Sequence, residues 1–252
     1  MYTSELLKTL DAYAAFDSAE SYDNVGLLVG DTKQEVKGIV FCVDCTMQVV
    51  QFALEHSANT IIAHHPLIFE GLQQIFTDTP KGAIIKMLLQ NQINFVAMHT
   101  NLDNAEQGTA FAIASKLDLF NMYTPADAKH MCIGQLEYPI TAKEFCTLVS
   151  EKFDFPARLY GEPNAKIQTL AIAPGAAGDA HLLSYKHQCQ ALLTGEMKHH
   201  HIIDAVALGM VVVDNSHHAN EAPVMQMLKD HLQTIYPLIP MEVYLHHPCY
   251  FK

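Results

Sequence analysis

Short runs of β-branched and other apolar residues alternate with helical patterns along this chain of 252 residues. The runs GIVFCVD (38–44) and NTIIA (59–63) are typical of buried strands, and the stretch between them, TMQVVQFALEHSA (46–58), is typical of a helix. The same alternation recurs as far as MEVYL (241–245), the last predicted strand. This order predicts an α/β fold with largely parallel sheets and helices on both faces.

A polar segment near the middle of the chain, NMYTPADAKH (121–130), predicts a boundary between two lobes. We expect an N-terminal α/β lobe over residues 1–126 and a C-terminal α/β lobe over residues 127–252. Further strands are predicted at 93–98, 132–138, 158–160, 167–173, 189–194 and 210–215. Further helices are predicted at the N-terminus, at 81–91, 105–117, 141–153, 197–208 and 220–232, and from near residue 180.

The composition narrows the class of protein. Hydrophobic residues make up 50% of the chain and charged residues 17%, so we expect a large core and no extensive disorder. The net charge of −12, without a Lys/Arg cluster, disfavours nucleic acid as a partner. No run approaches the roughly 20 apolar residues of a membrane span, and the first helix is amphipathic, unlike a signal peptide. Six scattered cysteines suit a reducing compartment, which predicts a cytoplasmic protein.

Side chains that can bind metals follow four of the predicted strands. In parallel α/β sheets the ligand site lies beyond the carboxyl ends of the strands, so we expect these residues near one site. Imidazole is the commonest metal ligand among side chains, and the chain holds 15 histidines. In chain order, the candidates are His64, His65, His99, Asp103, Glu196, His217, His218 and Glu221.

Five motifs occur in a familiar order: SYDNVGLLVGD, IIAHHPLIF, AMHTNLD, LLTGEMKHHHIIDA and SHHANE. Together they resemble the dinuclear metal-centre proteins of the YbgI type, a family often labelled type 2 homologues of GTP cyclohydrolase I. The resemblance extends from about residue 20 to about residue 222. It implies a two-lobed α/β fold, a ring-shaped homohexamer and two metal ions per subunit. We expect the metal site at the carboxyl ends of the strands, between the two lobes.

By this resemblance, the metal ligands are the two histidines of HHP, the aspartate of HTNLD, and the first histidine and the glutamate of an H-x-x-x-E motif. In this chain these residues are His64, His65, Asp103, His217 and Glu221. Three imidazoles with two carboxylates favour divalent transition metals (Zn, Fe, Mn, Co or Ni) over Ca and Mg. The set coincides with candidates chosen from the strand ends.

Three residues are expected to act beside the metal ions. His99 precedes Asp103 by four residues and is a candidate proton carrier or hydrogen-bond partner of a ligand. Glu196 and His200 match the family's TGD-x-x-x-H stretch, and at a spacing of four they would share a helix face and pair near the metals. In addition, Asp44 follows a predicted strand and can reach the site as a hydrogen-bond acceptor.

The chain departs from the family pattern at three positions. Tyr22 stands where the family usually has Trp, and the chain contains no tryptophan. Ser216 stands where Gly commonly precedes the H-x-x-x-E histidine, which leaves the backbone shape of that loop open. Glu196 stands where the family often has Asp.

Other metal-capable residues are given weaker roles. The second HHP, at residues 246–248, closes the last strand with no carboxylate after it, so we interpret it as a strand end. The C-x-x-C at residues 42–45 lacks the second pair that a zinc ribbon needs, so we interpret both thiols as small apolar core groups. His199 and His201 are expected to face solvent, and His218 is not expected to bind metal.

These features predict a protein that catalyses metal-assisted hydrolysis of a small polar or nucleotide-like substrate. A specific GTP cyclohydrolase activity is not supported by the residues themselves, because the motifs carry no phosphate-binding Gly-rich loop and few basic residues. Two other functions stay open: a non-catalytic metal-binding or scaffold oligomer, and redox chemistry at an iron pair. The expected partners are a small-molecule substrate and further copies of the chain, with neither nucleic acid nor a membrane.

Overall fold

The computed structural model describes residues 1–246, which form two compact units. Unit 1 contains residues 1–105 and 225–246, and unit 2 contains residues 106–224. These units differ from the predicted lobes, 1–126 and 127–252. The physical reason is that the last strand among the described residues, at 241–244, pairs with an early strand of unit 1, at 39–42.

The elements are numbered along the chain. The helices are α1 (Thr3–Tyr13), α2 (Met47–Glu55), α3 (Pro80–Gln90), α4 (Thr100–Asp103), α5 (Thr109–Lys116), α6 (Ala142–Phe153), α7 (Ala180–Lys186), α8 (His199–Ala207) and α9 (His217–Ile235), with a 3-10 turn at Phe16–Ser18. The strands are β1 (Gly26–Val29), β2 (Ile39–Cys42), β3 (Thr60–Ala63), β4 (Asn94–Ala97), β5 (Phe120–Tyr123), β6 (Cys132–Thr141), β7 (Arg158–Tyr160), β8 (Lys166–Ala176), β9 (Ala191–Glu196), β10 (Val211–Asp214) and β11 (Met241–Tyr244).

The sheet of unit 1 has the strand order β1-β4-β3-β2-β11. In this sheet β4, β3, β2 and β11 are parallel to one another, and β1 is antiparallel to β4. Every residue of β2, β3 and β4 is buried, so both faces of this part of the sheet are covered. Met241 pairs with Ile39 and Tyr244 pairs with Cys42, which places β11 in this sheet.

Helices α2 and α3 pack on the sheet of unit 1 through alternate strand residues. Val50 of α2 and Leu88 of α3 belong to the same buried cluster as Phe95 of β4. The side chains of Thr46 and Thr79 cap the two helices by accepting backbone hydrogen bonds, each worth about 1 kcal/mol. Because these helices return the chain across the sheet, β2, β3 and β4 end at the same edge.

The sheet of unit 2 has the strand order β5-β6-β8-β9-β10-β7. Strands β8, β9 and β10 are parallel neighbours, and the other three pairings described are antiparallel. The α/β fold is confirmed, with the difference that the sheet of unit 2 is mixed where largely parallel sheets were predicted. The chain passes from β5 to β6 without an intervening helix, and such a direct connection gives antiparallel strands.

Several element boundaries also differ from the prediction. The helix predicted over 105–117 is the shorter α5, and α4 is an additional short helix before it. The predicted boundary segment contains part of strand β5. Helix α9 begins at His217, three residues before the predicted start at Asn220. Within residues 1–246, no helix combines the length and the apolar character that crossing a membrane requires.

Candidate metal centre

The carboxyl ends of β3 and β4 bring three histidines of unit 1 together. His64 and His65 directly follow β3, and His99 follows β4 after one residue. One ring nitrogen from each histidine lies within 4.8 Å of those from the other two. The ring centroids are 5.1–5.5 Å apart, so the three imidazoles form one cluster.

His64 and His65 are each held at the Nδ1 atom. Nδ1 of His64 lies 2.8 Å from the backbone oxygen of Met98, which can only accept a hydrogen bond. Nδ1 of His65 lies 2.8 Å from Oδ1 of Asp44, so the prediction that Asp44 reaches this region as an acceptor is confirmed. In a neutral ring the proton then resides on Nδ1 and the lone pair on Nε2, which is the form that binds a metal ion.

A buried carboxylate that was not predicted from the sequence holds the third imidazole. Both oxygens of Asp23 lie 2.9 Å from Nδ1 of His99. The same carboxylate accepts hydrogen bonds from the backbone nitrogen and the hydroxyl of Thr100, and its side chain is fully buried. Burial and neighbouring His64 lower the pKa of His99, more than Asp23 raises it, so the neutral ring is favoured.

The pKa of Asp23 itself falls below its usual value. Burial raises this pKa, but the hydrogen bonds from His99 and Thr100 outweigh the effect of burial. Asp23 precedes β1, a strand that no sequence pattern predicted. Because β1 runs antiparallel to β4, its start lies at the carboxyl end of β4 and brings Asp23 to His99, a contact across 76 residues.

Asp103, the last residue of α4, lies beside His64. Its Oδ1 atom is 3.6 Å from Nε2 of His64. This oxygen is buried, and no hydrogen-bond donor among residues 1–246 reaches it. Two acceptor atoms that face each other at this separation fit a cation, since zinc binds imidazole nitrogen and carboxylate oxygen at about 2.0–2.2 Å. The side chains of unit 1 therefore suit a divalent metal ion.

In unit 2, His217 and Glu221 lie one turn apart at the start of α9. Nε2 of His217 is 3.3 Å from Oε1 of Glu221, and Nδ1 of His217 is 3.2 Å from Oε1 of Glu196. His217 was expected in the loop before the helix, but it is the first helical residue, so it shares one helix face with Glu221. Glu221 is buried and Glu196 is exposed. Glu196 thus contacts His217 as Asp44 contacts His65, through Nδ1.

Two glycines pack against this pair and leave no room for a side chain. Gly175 adopts φ +57°, and a Cβ atom there would lie 2.4 Å from Oε1 of Glu221 and 3.1 Å from Nε2 of His217. A Cβ atom on Gly195 would lie 2.7 Å from Cα of His217. The last residues of β8 and β9 therefore form a close backbone cradle for His217 and Glu221.

Ser216, which stands where the family commonly has Gly, keeps a glycine-like backbone. Its φ is +72°, in the left-handed region that costs an L-residue about 1–2 kcal/mol. The loop before α9 thus retains the conformation that a glycine would allow, and its carbonyl accepts the hydrogen bond from the nitrogen of Asn220.

The model of one protein family, Duf34/NIF3 (NGG1p interacting factor 3), matches residues 1–249. The chain belongs to the Duf34/NIF3 family. A GTP cyclohydrolase 1 type 2 homolog of Clostridium acetobutylicum is 31% identical over 237 residues, which cover 91% of this chain and 88% of the relative. A hypothetical protein of Staphylococcus aureus has a TM-score of 0.93 and 29% identity, covering 100% of this chain and 99% of that one.

The protein ybgI, whose function is unknown, has a TM-score of 0.84 to this Duf34/NIF3 chain and covers 97% of each chain. Its sequence identity is 22%, so the likeness shows a shared fold and no more. With the family match and the named relatives, the predicted resemblance to YbgI-type proteins is confirmed.

Glu196 and His200 of this Duf34/NIF3 chain do not share a helix face, contrary to the prediction. Glu196 is the last residue of β9, and α8 begins only at His199. His200 lines a cavity of about 420 Å³ formed by residues of α7, α8 and the segment before α7, including His181 and Asp204. The catalytic roles of His99, Glu196 and His200 stay predictions.

The structure also describes four of the histidines that were given weaker roles: His199, His201, His218 and His246. His199 is exposed, as expected, whereas His201 is half-buried and its Nδ1 contacts the backbone oxygen of Gly178. His218 is buried, and its exclusion from the ligands stays a prediction. His246 is the last described residue, and its ring lies 6.1 Å from that of Tyr244. The rest of the second HHP, residues 247–248, lies outside the described residues.

The two cysteines of the C-x-x-C are core groups of unit 1. Cys42 is buried in the cluster formed by β2, β3, β4, α2 and α3, and Cys45 packs against that cluster. Burial raises the pKa of Cys45 to about 12 and that of Cys42 well above its usual range. The thiols are therefore protonated at neutral pH, which agrees with the interpretation of both as core residues.

Proposed function

We propose that this Duf34/NIF3 protein is a metal-dependent hydrolase of a small polar, nucleotide-like substrate. His64, His65, Asp103, His217 and Glu221 would hold two divalent transition-metal ions. The main support is the pair of acceptor atoms on His64 and Asp103, which face each other at 3.6 Å in a buried position. A buried carboxylate oxygen without a donor is costly unless a cation compensates it.

The donor set suits zinc, iron, manganese, cobalt or nickel, because imidazole nitrogen and carboxylate oxygen are borderline ligands. When bound, such ions lower the pKa of water and stabilise negative charge that develops on oxygen. Three of the five proposed ligands, His64, His65 and His217, are each anchored at Nδ1, and these contacts orient the rings and raise their basicity.

His99 is the residue that we propose as the proton carrier. The carboxylate of Asp23 holds the proton of Nδ1, which leaves Nε2 to accept a proton in the cluster with His64 and His65. Its lowered pKa keeps the ring neutral and able to act as a base near neutral pH. Glu196, through its contact with Nδ1, would position His217 rather than move a proton in concert with His200.

The relative from Clostridium acetobutylicum is named for GTP cyclohydrolase, so GTP belongs among the substrates to test. The test uses the full chain, freed of metal and then loaded separately with Zn²⁺, Mn²⁺ or Fe²⁺, against a panel of nucleotides, phosphoesters and amides. We expect turnover of at least one class of substrate with at least one metal. No turnover with any of the three metals would contradict the proposal.

Two variants locate the activity. Asp103→Ala should retain its circular dichroism spectrum and lose turnover at least about 100-fold, as expected when a metal ligand is removed. The matched control is Asp204→Ala, which removes an exposed carboxylate from the histidine-rich cavity of α7 and α8 and should leave turnover unchanged. Loss of activity in the control but not in Asp103→Ala would place the site elsewhere.

Bound metal without turnover would instead favour a non-catalytic metal-binding or scaffold protein. Metal analysis of the same preparations therefore accompanies the activity assay. The ring-shaped homohexamer that the resemblance implies stays a prediction, and the molar mass in solution from light scattering tests it. A dimer or a monomer would contradict it.

A further inference from the structure

Two exposed aromatic rings stand at the edge of the histidine cluster in unit 1. Tyr22 is 64% exposed and Phe69 is 40% exposed, although both are large and apolar enough for a core. Their ring centroids are 6.2 Å apart, with the planes tilted by 38°. Adjacent exposed aromatic rings on a protein surface commonly contact a ligand or partner.

The pair lies beside the groups of the candidate metal centre. The ring of Phe69 is 6.2 Å from that of His99, in an edge-to-face arrangement. The phenol of Tyr22 lies within the electrostatic influence of Glu20, Asp23 and Asp103, which add to burial in raising its pKa. Tyr22 therefore keeps its proton at neutral pH and presents both an aromatic face and a hydroxyl donor.

The segments that carry the two rings are joined to each other and to the cluster. Nδ2 of Asn24 donates a hydrogen bond of 2.6 Å to the backbone oxygen of Ile68, the residue before Phe69. Tyr22 precedes Asp23, whose carboxylate holds His99. Each ring is therefore next in sequence to a residue held by a hydrogen bond, Asp23 for Tyr22 and Ile68 for Phe69. Both rings can thus be held in place before a ligand binds.

We propose that Tyr22 and Phe69 form a stacking site for a planar heteroaromatic ring, such as a nucleobase, in the substrate of the adjacent centre. The inference rests on the proposed function and names its substrate class. A flat ring can stack on an aromatic side chain without a specific pattern of hydrogen-bond donors, because every such ring has a π-face.

The absence of tryptophan from the chain permits a direct test. Tyr22→Trp introduces a single tryptophan at the proposed stacking site, and its fluorescence can be excited selectively at wavelengths where tyrosine does not absorb. The Zn²⁺-loaded protein is titrated with AMP and, separately, with ribose 5-phosphate, which has the same sugar and phosphate but no base. We expect AMP to quench the fluorescence saturably and ribose 5-phosphate to leave it unchanged. Adding Phe69→Ala to this protein should weaken AMP binding about 10-fold.

The control protein is Tyr138→Trp, since Tyr138 is 69% exposed on β6 of unit 2. It should show no saturable response to either ligand. Equal responses to AMP and ribose 5-phosphate, or the same response in the control, would overturn the proposal. A third outcome would also overturn it: without ligand, the fluorescence changes with protein concentration, and Phe69→Ala abolishes that change. Such a result would mean that a second copy of the chain covers the rings.

The binding assay needs no turnover, so the two proposals fail in different ways. Saturable AMP binding by a protein that hydrolyses none of the substrates would support the stacking site and contradict the proposed hydrolase activity. The opposite result is hydrolysis of non-aromatic phosphoesters without quenching by AMP in a folded, metal-loaded Tyr22→Trp protein. It would contradict the stacking site and support the hydrolase.

Discussion

Asp23 holds the imidazole of His99 with both of its carboxylate oxygens, each 2.9 Å from Nδ1. Asp23 precedes the start of β1 and His99 follows the end of β4, and these two ends meet at one edge of the sheet because the strands are antiparallel. Because the carboxylate is fully buried and also binds Thr100, it fixes the orientation of His99 and the start of α4 together. The short helix α4 then presents Asp103 to His64.

Asp23→Asn should destabilise the metal-free protein. The substitution keeps the shape of the side chain but replaces a charged acceptor with an amide, at a cost of about 1–3 kcal/mol for the buried donors it served. Urea unfolding with chelator present measures the free energy of unfolding. Asp17→Asn, at an exposed position of the same segment, is the control and should have little effect. Equal effects of the two substitutions would show that the Asp23 contacts are unimportant for stability.

The stability difference between wild type and Asp23→Asn should depend on pH. The pKa of Asp23 is lowered in the folded protein, so its carboxylate contributes stability above the usual pKa of about 3.9 and loses that contribution as the pH falls through the lowered value. The stability difference between wild type and Asp23→Asn should therefore be greatest near neutral pH and shrink below about pH 4. A difference that stays constant from pH 7 to pH 3 would rule out this contribution.

Asp44→Asn should weaken metal binding without unfolding the protein. Asp44 accepts the hydrogen bond from Nδ1 of His65, and loss of such a partner typically lowers metal affinity about 10- to 100-fold. Competition with a chromophoric chelator gives the affinity for Zn²⁺. Asp78→Asn removes a charge from an exposed loop and serves as the control for net charge. An unchanged affinity in Asp44→Asn would argue against His65 as a ligand.

Gly175→Ala should disrupt the site formed by His217 and Glu221, because the added Cβ atom would clash with Glu221. Gly178→Ala is the matched variant that separates this clash from backbone strain. Gly175 and Gly178 have nearly the same φ, +57° and +54°, so alanine suffers similar backbone strain at both. A Cβ atom at Gly175 would lie 2.4 Å from Oε1 of Glu221, whereas nothing lies within 4 Å of one at Gly178. We expect a lower melting temperature and weaker metal binding for Gly175→Ala than for Gly178→Ala. Equal values would contradict the close packing of Gly175 on Glu221.

Ser216→Gly should stabilise the protein. Its φ of +72° is unfavourable for serine, and glycine relieves that strain, partly offset by the greater entropy of the unfolded chain. A gain of about 0.5–1 kcal/mol is expected from these opposing effects. Gln188→Gly, at an exposed residue with φ +59°, should give a similar gain in thermal unfolding. A loss of stability in Ser216→Gly alone would show that the serine side chain contributes more than the strain costs.

The sequence allowed the parallel strands and the residues that follow them to be predicted. Strands β2, β3 and β4 are short, continuous apolar runs because both of their faces are buried, and this pattern is local. His64, His65 and His99 follow two of these strands, so their clustering could be expected from the geometry of parallel sheets alone.

The rest depended on contacts between distant parts of the chain. The position of Asp23 is set by the antiparallel pairing of β1 with β4, and residues 241–244 join unit 1 through the pairing of β11 with β2. Gly175 is required by side chains on α9, more than 40 residues later. Glu196 and His200 do not share the expected helix face, because a spacing of four places residues on one face only within a helix, and Glu196 ends a strand.

The most direct measurement is anomalous scattering from crystals of the full chain grown with Zn²⁺, recorded on both sides of the zinc absorption edge. We predict two zinc peaks per chain, each within about 2.5 Å of ligand atoms. The residues in contact with them should be His64, His65, Asp103, His217 and Glu221. The result that would contradict the proposal is zinc at the cavity lined by His181 and His200, or at the second HHP, with none at His64 and Asp103.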